Sequence, residues 1–163
     1  MTEVRSYEDI DNLADLLREE PYEPLLRTIG QVAERETIEA YAVGGMVRDV
    51  LLGRSTTDLD FVTVGADTGI ELAEAVAEEL GGRTAHVYPK FGTAAIRLPI
   101  EEAVPEGHTD DALVLEFVAA RKESYRSDSR KPIVEDGTLE DDQYRRDFTV
   151  NAMAVHLSPD RFG

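Results

Sequence analysis

The stretch that decides the fold runs from Tyr41 to Val64 and reads YAVGGMVRDVLLGRSTTDLDFVTV. Short apolar runs open and close it, and between them a glycine pair precedes a helical pattern that ends at Gly53. Side chains alternate along a strand, so the second run places Asp58 and Asp60 on one face and apolar residues on the other. This strand, turn, helix and strand unit predicts an α/β (α+β) domain with a polar site beside the second strand.

The remaining chain predicts further helices and strands around this unit. Apolar residues at helical spacing predict scaffold helices over 7–19 and 24–36. A third helix is expected to begin after Asp67 as N-cap and to end near Leu80. The expected strands share short runs of apolar residues and cover 83–88, 93–98 and 113–119.

The C-terminal third of the sequence is more polar. The acidic segment 99–111 is expected to be a loop, and 121–132 is expected to be polar and partly flexible. Thr138, with Asp141 three residues later, predicts a capping box for a short helix over 139–147. For the run FTVNAMAVHL that follows, the pattern leaves helix and strand open.

Composition bounds the class of protein. A chain of 163 residues suits one compact domain, and the absence of cysteine excludes disulfides and Cys-ligated zinc. The three histidines are scattered, which disfavours a histidine metal site. The acidic N-terminus lacks the apolar core of a signal peptide, and no apolar run approaches the roughly 18 residues of a membrane span. We therefore expect a soluble, cytoplasmic protein that does not bind membranes.

The charge balance is strongly acidic, with 34 acidic and 17 basic residues and a net charge of −17. This disfavours a general nucleic-acid-coating protein, because binding to a polyanion depends on Lys and Arg. Two explanations of the acidic surface stay open: a solvated surface that aids solubility, or adaptation to a salt-rich cytoplasm. The basic residues are concentrated in a few segments, notably 121–131 and 145–146.

The pair Asp58 and Asp60 is the first candidate site. Two carboxylates on one face at the start of a strand are hard oxygen ligands suited to Mg²⁺, and such a pair can bridge two metal ions about 3.5–4 Å apart. The plainer alternative is a solvated strand start. Glu116 sits inside an apolar strand, and it is either a third acidic group or base of the same site or a side chain facing solvent.

The glycine pair Gly44 and Gly45 is the second candidate. It matches neither the dinucleotide-binding glycine pattern nor a P-loop, which disfavours both of those chemistries. Glycines at a strand-to-helix turn allow close backbone approach, and the helix start would favour an anion. Arg48, one turn later, either adds positive charge to a bound phosphate or pairs with Asp49 or Asp58.

Two long motifs carry a resemblance to a known family. GGMVRDVLLGRSTTDLDFVT and, at 145–154, RRDFTVNAMA resemble the head domain of the class II tRNA nucleotidyltransferase and poly(A) polymerase family, within the polymerase-β nucleotidyltransferase superfamily. The resemblance covers about 40–154. It implies a small mixed, mostly antiparallel sheet backed by helices, with the site at one edge of the sheet.

The resemblance also implies roles for individual residues. Asp58 and Asp60 would bind Mg²⁺ and carry the catalysis, with Glu116 as a further acidic group. The nucleotide-binding residues would come from both motifs: Gly44, Gly45 and Arg48 for the triphosphate, and Arg145, Arg146, Asp147 and Asn151 for the ribose. For the arginine pair, an exposed helix end with an internal ion pair is the alternative.

The expected activity is template-independent transfer of AMP or CMP from ATP or CTP to an RNA 3′ end, with tRNA as the expected substrate and pyrophosphate as the product. The alternatives are a poly(A) polymerase head or a nucleotide-binding module that is inactive in isolation. We expect an N-terminal helical extension over 1–38 and a head over 39–163 that ends before the neck, where the family selects the base. The sequence therefore leaves open whether CCA, C, A or poly(A) is added.

Overall fold

The computed structural model describes residues 13–54, 56–99, 112–125 and 132–163. The helices in these ranges are α1 (Leu13–Leu17), α2 (Glu23–Arg35), α3 (Gly45–Leu51), α4 (Thr68–Glu79) and α5 (Leu139–Tyr144). The strands are β1 (Glu39–Val43), β2 (Asp58–Val64), β3 (His86–Tyr88), β4 (Thr93–Pro99), β5 (Ala112–Ala119), β6 (Arg121–Tyr125), β7 (Pro132–Asp136) and β8 (Ala154–His156).

Six of these strands form one sheet in the order β3-β4-β5-β2-β1-β8. The central pair β2 and β5 is parallel, whereas β1 with β2, β1 with β8, β3 with β4, and β4 with β5 are antiparallel. The prediction of a mixed, mostly antiparallel sheet backed by helices is therefore confirmed. Strands β6 and β7 form a separate antiparallel pair.

One face of the sheet carries the hydrophobic core. Leu59 and Phe61 of β2 are fully buried there, as is Phe117 of β5, and the two phenylalanine rings stack at a centroid distance of 4.9 Å. Apolar side chains of α2 and α4 pack on this face and belong to the same core cluster as those of α1. The alternation that buries these residues turns Asp58, Asp60 and Glu116 to the opposite face.

The structure corrects the expected place of the site within the sheet. Asp58 and Asp60 lie on β2 and Glu116 lies on β5, which are the two inner strands rather than an edge. The reason is the parallel pairing of β2 with β5, which joins segments far apart in sequence. Local sequence patterns do not encode that pairing.

Several local predictions are confirmed and others are wrong. The capping box at Thr138 is present, but α5 ends at Tyr144, and the undecided run that follows forms a short 3₁₀ turn, Thr149–Asn151, and then β8. Asp67 occupies the N-cap position of α4 with φ +58° and no side-chain capping bond. The segment expected to be flexible after Arg121 forms β6, paired with β7.

Other predictions fall outside the described ranges: the start of the first helix, the acidic loop beyond Pro99, and the basic residues of 126–131. Of the helices just described, none combines the length and apolar composition that a membrane span requires.

Candidate active site

The three predicted carboxylates meet on the open face of the sheet. Strands β2 and β5 run parallel and in register, so Asp60 lies directly beside Glu116. Asp58 is two residues before Asp60 on the same face. Asp58 and Glu116 are exposed, whereas Asp60 is partly buried. Glu116 is therefore both a neighbour of the acidic pair and a solvent-facing side chain, and its role in the site stays a prediction.

The surroundings of Asp60 disfavour its negative charge. Burial is the largest cause that raises the pKa of Asp60, and the negative charge of Glu116 adds to it, with a smaller contribution from Asp58. Arg146 acts in the opposite direction and lowers the pKa of Asp60. No side chain that the structure describes donates a hydrogen bond to this carboxylate. A group of crowded, unpaired carboxylates is stabilised by a cation.

Gly44 is the point where the two sequence motifs touch. Its φ of +75° is a backbone conformation that glycine adopts without strain. A Cβ on Gly44 would lie 3.3 Å from Oδ2 of Asp60 and 3.4 Å from Nη1 of Arg146. The Gly44 amide donates a hydrogen bond to the carbonyl of Met153 at 3.4 Å. Gly44 therefore lies between the acidic strand and the arginine segment, and a side chain there would crowd the Asp60 carboxylate slightly.

Arg145 and Arg146 are held by a carboxylate that the sequence analysis did not select. Asp142 of α5 is fully buried. Nη2 of Arg145 donates to its Oδ1, and Nε of Arg146 donates to its Oδ2 at 2.9 Å, while Nη2 of Arg146 forms an ion pair with the same oxygen at 2.8 Å. The arginine pair is thus partly buried and its ion pairs run to Asp142. The helical spacing of three and four residues from Asp142 to the two arginines is the signal that indicates these pairs.

Arg48 and Asn151 join the two motifs a second time. Nη1 of Arg48 donates to Oδ1 of Asn151 at 2.9 Å, and its Nε and Nη2 donate to the carboxylate of Asp49 at 2.9 and 3.0 Å. The ion pair with Asp49, the alternative considered for Arg48, is therefore present. Gly45 lies beside this guanidinium, since a Cβ there would be 3.3 Å from Nη2. Asp147 is exposed, and it is not among the cleft-lining residues.

A cleft of about 230 Å³ opens on this face of the sheet. Its polar lining comes from both motifs and from two residues that were not predicted to belong to the site, Tyr88 and Arg121. The lining residues that matter for chemistry are Asp60, Tyr88, Glu116, Arg121, Arg145 and Arg146. Both negative and positive groups line the cleft, which suits a ligand that carries both phosphates and a cation.

The acidic side chains meet the needs of Mg²⁺ only in part. Across the described ranges, no group of three or more His, Cys, Asp or Glu side chains is arranged to hold a metal ion. Mg²⁺ is commonly bound through one or two carboxylates together with substrate phosphates and water. Asp58 and Asp60 on adjacent positions of one face, with an unpaired Asp60, fit that second arrangement.

Comparison with known proteins identifies the family. A family model described as "Poly A polymerase head domain" matches residues 40–162. The chain belongs to this family. Among curated relatives, an A-adding tRNA nucleotidyltransferase of Geobacter sulfurreducens is 41% identical over 143 residues, which are 88% of this chain and 15% of that protein.

Solved structures agree with the family assignment. A CCA-adding enzyme in an apo form is 33% identical, with a TM-score of 0.76 over 93% of this chain and 33% of that one. A tRNA nucleotidyltransferase solved with a primer tRNA and an incoming ATP analogue is 37% identical, with a TM-score of 0.61 over 83% of this chain and 32% of that one. The head-domain chain thus spans about a third or less of the length of these proteins.

Proposed function

We propose that this chain is the nucleotide-binding and catalytic head of a template-independent RNA nucleotidyltransferase. It would transfer AMP or CMP from ATP or CTP to an RNA 3′ end, with tRNA as the substrate, and release pyrophosphate. The observation that carries the proposal is the convergence of Asp60, Glu116 and Arg146 on one cleft. Two motifs about 85 residues apart in the chain meet there through Gly44.

The proposed roles follow from charge and position. Arg145 and Arg146 face the cleft with positive charge and bind the anionic or ribose part of the nucleotide, while Asn151 fixes Arg48 beside Gly45. Asp58 and Asp60 would hold Mg²⁺, and Glu116 is the third acidic group. When bound, Mg²⁺ supplies charge neutralisation for in-line attack of the RNA 3′-oxygen on the α-phosphate. Asp147 is proposed for ribose recognition only from the family motif, because it is exposed.

The relatives do not fix the nucleotide that is added. One is named as A-adding, at 41% identity to this chain, and another as CCA-adding, at 33% identity. Base choice is therefore proposed to lie in a neck beyond the head, together with most of the RNA contacts. Because the chain spans a third or less of those proteins, we propose as a second candidate that it binds nucleotide by itself without efficient transfer.

The proposed organisation keeps the N-terminal helices as an extension over 1–38 and the head over 39–163. Support comes from the family match, which begins at residue 40, and from the core that α1 and α2 share with the sheet. A cytoplasmic location is proposed as well, on the basis of the tRNA substrate.

Calorimetric titration of ATP with and without Mg²⁺ tests the site. The chain should bind ATP more tightly with Mg²⁺, and Asp60→Ala should remove that difference. Asp160→Ala, which alters an exposed carboxylate outside the cleft, is the matched control. An ATP affinity that changes neither with Mg²⁺ nor with Asp60→Ala would contradict the catalytic proposal. Robust CCA addition to labelled tRNA by these 163 residues alone would contradict the assignment of base choice to a neck.

A further inference from the structure

We propose that Asp142 is a positioning residue for nucleotide binding: it holds Arg145 and Arg146 in the orientation in which their remaining N–H groups face the cleft. The inference rests on the proposed function, since it explains how two arginines of the same nucleotide site are held in place. Asp142 does not itself line the cleft, and it acts through the two arginines.

The burial of Asp142 is the first observation. It is one of two buried polar or charged side chains among the described residues, and its exposed fraction is 0%. A buried carboxylate is costly unless it is paired and hydrogen-bonded, and here each oxygen accepts from a different arginine. The cluster of one carboxylate and two guanidinium groups has a net charge of +1, so the carboxylate leaves the positive charge needed for an anion.

The anchoring of Asp142 is the second observation. Asp142 follows Asp141, whose carboxylate accepts from the amide of Thr138 at 2.9 Å and closes the capping box at the start of α5. The helix start is therefore fixed from one side by Asp141, while Asp142 is fully buried beneath the arginines. Asp141 thus caps the six-residue helix, and Asp142 holds the two arginines that follow it.

The third observation is what remains unbonded on the arginines. An arginine has five N–H donors. Asp142 takes Nη2 of Arg145, and Nε of Arg145 is buried with no hydrogen-bond partner among the described residues. On Arg146, Nε donates to Asp142, Nη2 lies in ion-pair contact with the same carboxylate, and Nη1 donates a long hydrogen bond of 3.4 Å to the carbonyl of Asn151. Because Nε of Arg145 is buried, the donors left for a ligand are the terminal N–H groups of these two cleft-lining residues, from which phosphate or ribose oxygens can accept.

Asp142 also prevents a competing ion pair. Nη1 of Arg146 and Oδ2 of Asp60 both lie within 3.4 Å of the space above Gly44. Without Asp142, the guanidinium of Arg146 would be free to turn toward Asp60. An arginine paired with Asp60 would be lost to the nucleotide, so removal of the Asp142 charge should weaken nucleotide binding even in the absence of metal.

The test is calorimetric titration of the chain with ATP in EDTA, so that no metal contributes. Asp142→Asn should weaken ATP binding about tenfold, the loss expected for a charged hydrogen bond. Glu140→Gln, an exposed carboxylate on the same helix, should bind like the wild type. A residue that only supports the fold would lower the melting temperature or the binding stoichiometry and leave the Kd of the folded fraction unchanged.

A double-mutant cycle separates this inference from the proposed function. Arg145→Ala/Arg146→Ala should weaken ATP binding, and adding Asp142→Asn to that variant should cause no further loss. If the double arginine variant binds ATP like the wild type, the proposed nucleotide site is wrong. If it binds weakly while folded Asp142→Asn keeps the wild-type Kd, the positioning role is wrong and the proposed function stands.

A second variant covers the case in which Asp142→Asn does not fold. Asp142→Glu keeps the charge and moves it by one methylene group, so its Kd for ATP should lie between those of the wild type and the double arginine variant. A wild-type Kd for Asp142→Glu, measured on protein with a cooperative melt, would overturn the positioning role. When RNA extension is measured on the same variants, the KM for ATP should rise while kcat stays near the wild-type value.

Discussion

The acidic and the basic halves of the cleft are held in place by different means. Asp58, Asp60 and Glu116 stand on the two inner strands of the sheet, where the backbone ladder of β2 and β5 fixes their spacing. Arg145 and Arg146 follow a six-residue helix, and side-chain bonds to Asp142 fix them. The acidic half therefore owes its geometry to the main chain, and the basic half owes its geometry to one buried carboxylate.

This difference predicts that the charged side chains of the two halves have opposite effects on the stability of the folded state. The carboxylate of Asp60 is partly desolvated next to like charge, so its ionised form destabilises the folded state. The arginines offset the buried charge of Asp142, so they stabilise the folded state while serving the cleft. Removing a charged side chain should thus stabilise the protein on the acidic side and destabilise it on the basic side.

The largest expected effect is on the acidic side. Asp60→Asn should lower nucleotide transfer at least about 10³-fold, because it removes a charged side chain that we propose as a metal ligand. The same variant should melt at a higher temperature than the wild type at pH 7 in EDTA. The measurements are single-turnover extension of labelled tRNA and thermal melting followed by circular dichroism.

The pH dependence of that stability gain follows from the sign of the pKa shift. The pKa of Asp60 is raised in the folded state, mainly by burial, so the folded protein binds more protons than the unfolded chain between the ordinary and the raised pKa. The free energy of unfolding contributed by Asp60 therefore falls as pH rises through that window. The gain from Asp60→Asn should be full above the raised pKa and absent below the ordinary one. A lower melting temperature for Asp60→Asn at pH 7 would contradict the comparison.

The second effect is on the basic side. Arg146→Met should weaken ATP binding about tenfold or more and also destabilise the fold by about 1.5–3 kcal/mol, because buried Asp142 loses a charged hydrogen bond and its ion pair with Arg146. Arg97→Met, which removes an exposed arginine from β4, is the matched control and should change neither quantity. Urea unfolding and calorimetry measure both. If Arg146→Met is as stable as the wild type, the expected difference in folding stability between the acidic and basic halves is wrong.

The two halves also differ in how far the sequence predicts them. The alternation in β2 is local, so the shared face of Asp58 and Asp60 follows from the sequence alone. The burial of Asp142 depends on packing between α5 and segments distant in sequence, and in the sequence it is one of three neighbouring acidic residues. Only its spacing to Arg145 and Arg146 indicates a pair, and spacing alone does not reveal burial.

The errors in the predicted fold have the same origin. Strand β6 (Arg121–Tyr125) is polar and lacks a clear apolar alternation, so it resembles a loop until its pairing with β7 is known. The placement of the site on inner strands requires the parallel pairing of β2 with β5, which joins segments more than 50 residues apart. Patterns with a period of two residues predict the face of a strand but not its neighbours.

A third, smaller effect concerns Gly44, where the two halves touch. Gly44→Ala should cost about 1 kcal/mol for the positive φ and weaken ATP binding several-fold, because the new Cβ crowds the Asp60 carboxylate beside Arg146. Gly81→Ala also carries a positive φ of +88°, with nothing within 4 Å of its Cβ. This control should lose similar stability and bind ATP normally. Equal ATP affinities for the two variants would mean that the contacts of Gly44 with the acidic and basic halves do not affect ATP binding.

The smallest expected effect separates the causes that act on Asp60. Burial raises its pKa more than the charge of Glu116 does, so Glu116→Gln should lower the pKa of Asp60 while leaving it above the ordinary range. The readout is the difference in melting temperature between Glu116→Gln and Glu116→Gln/Asp60→Asn, followed against pH in EDTA. Its midpoint should lie at lower pH than the matching difference between the wild type and Asp60→Asn. If the midpoint does not move, Asp60 and Glu116 lie side by side on β2 and β5 without electrostatic coupling. If the pKa of Asp60 returns fully to its ordinary value, the charge of Glu116 rather than burial is the main cause of the raised pKa.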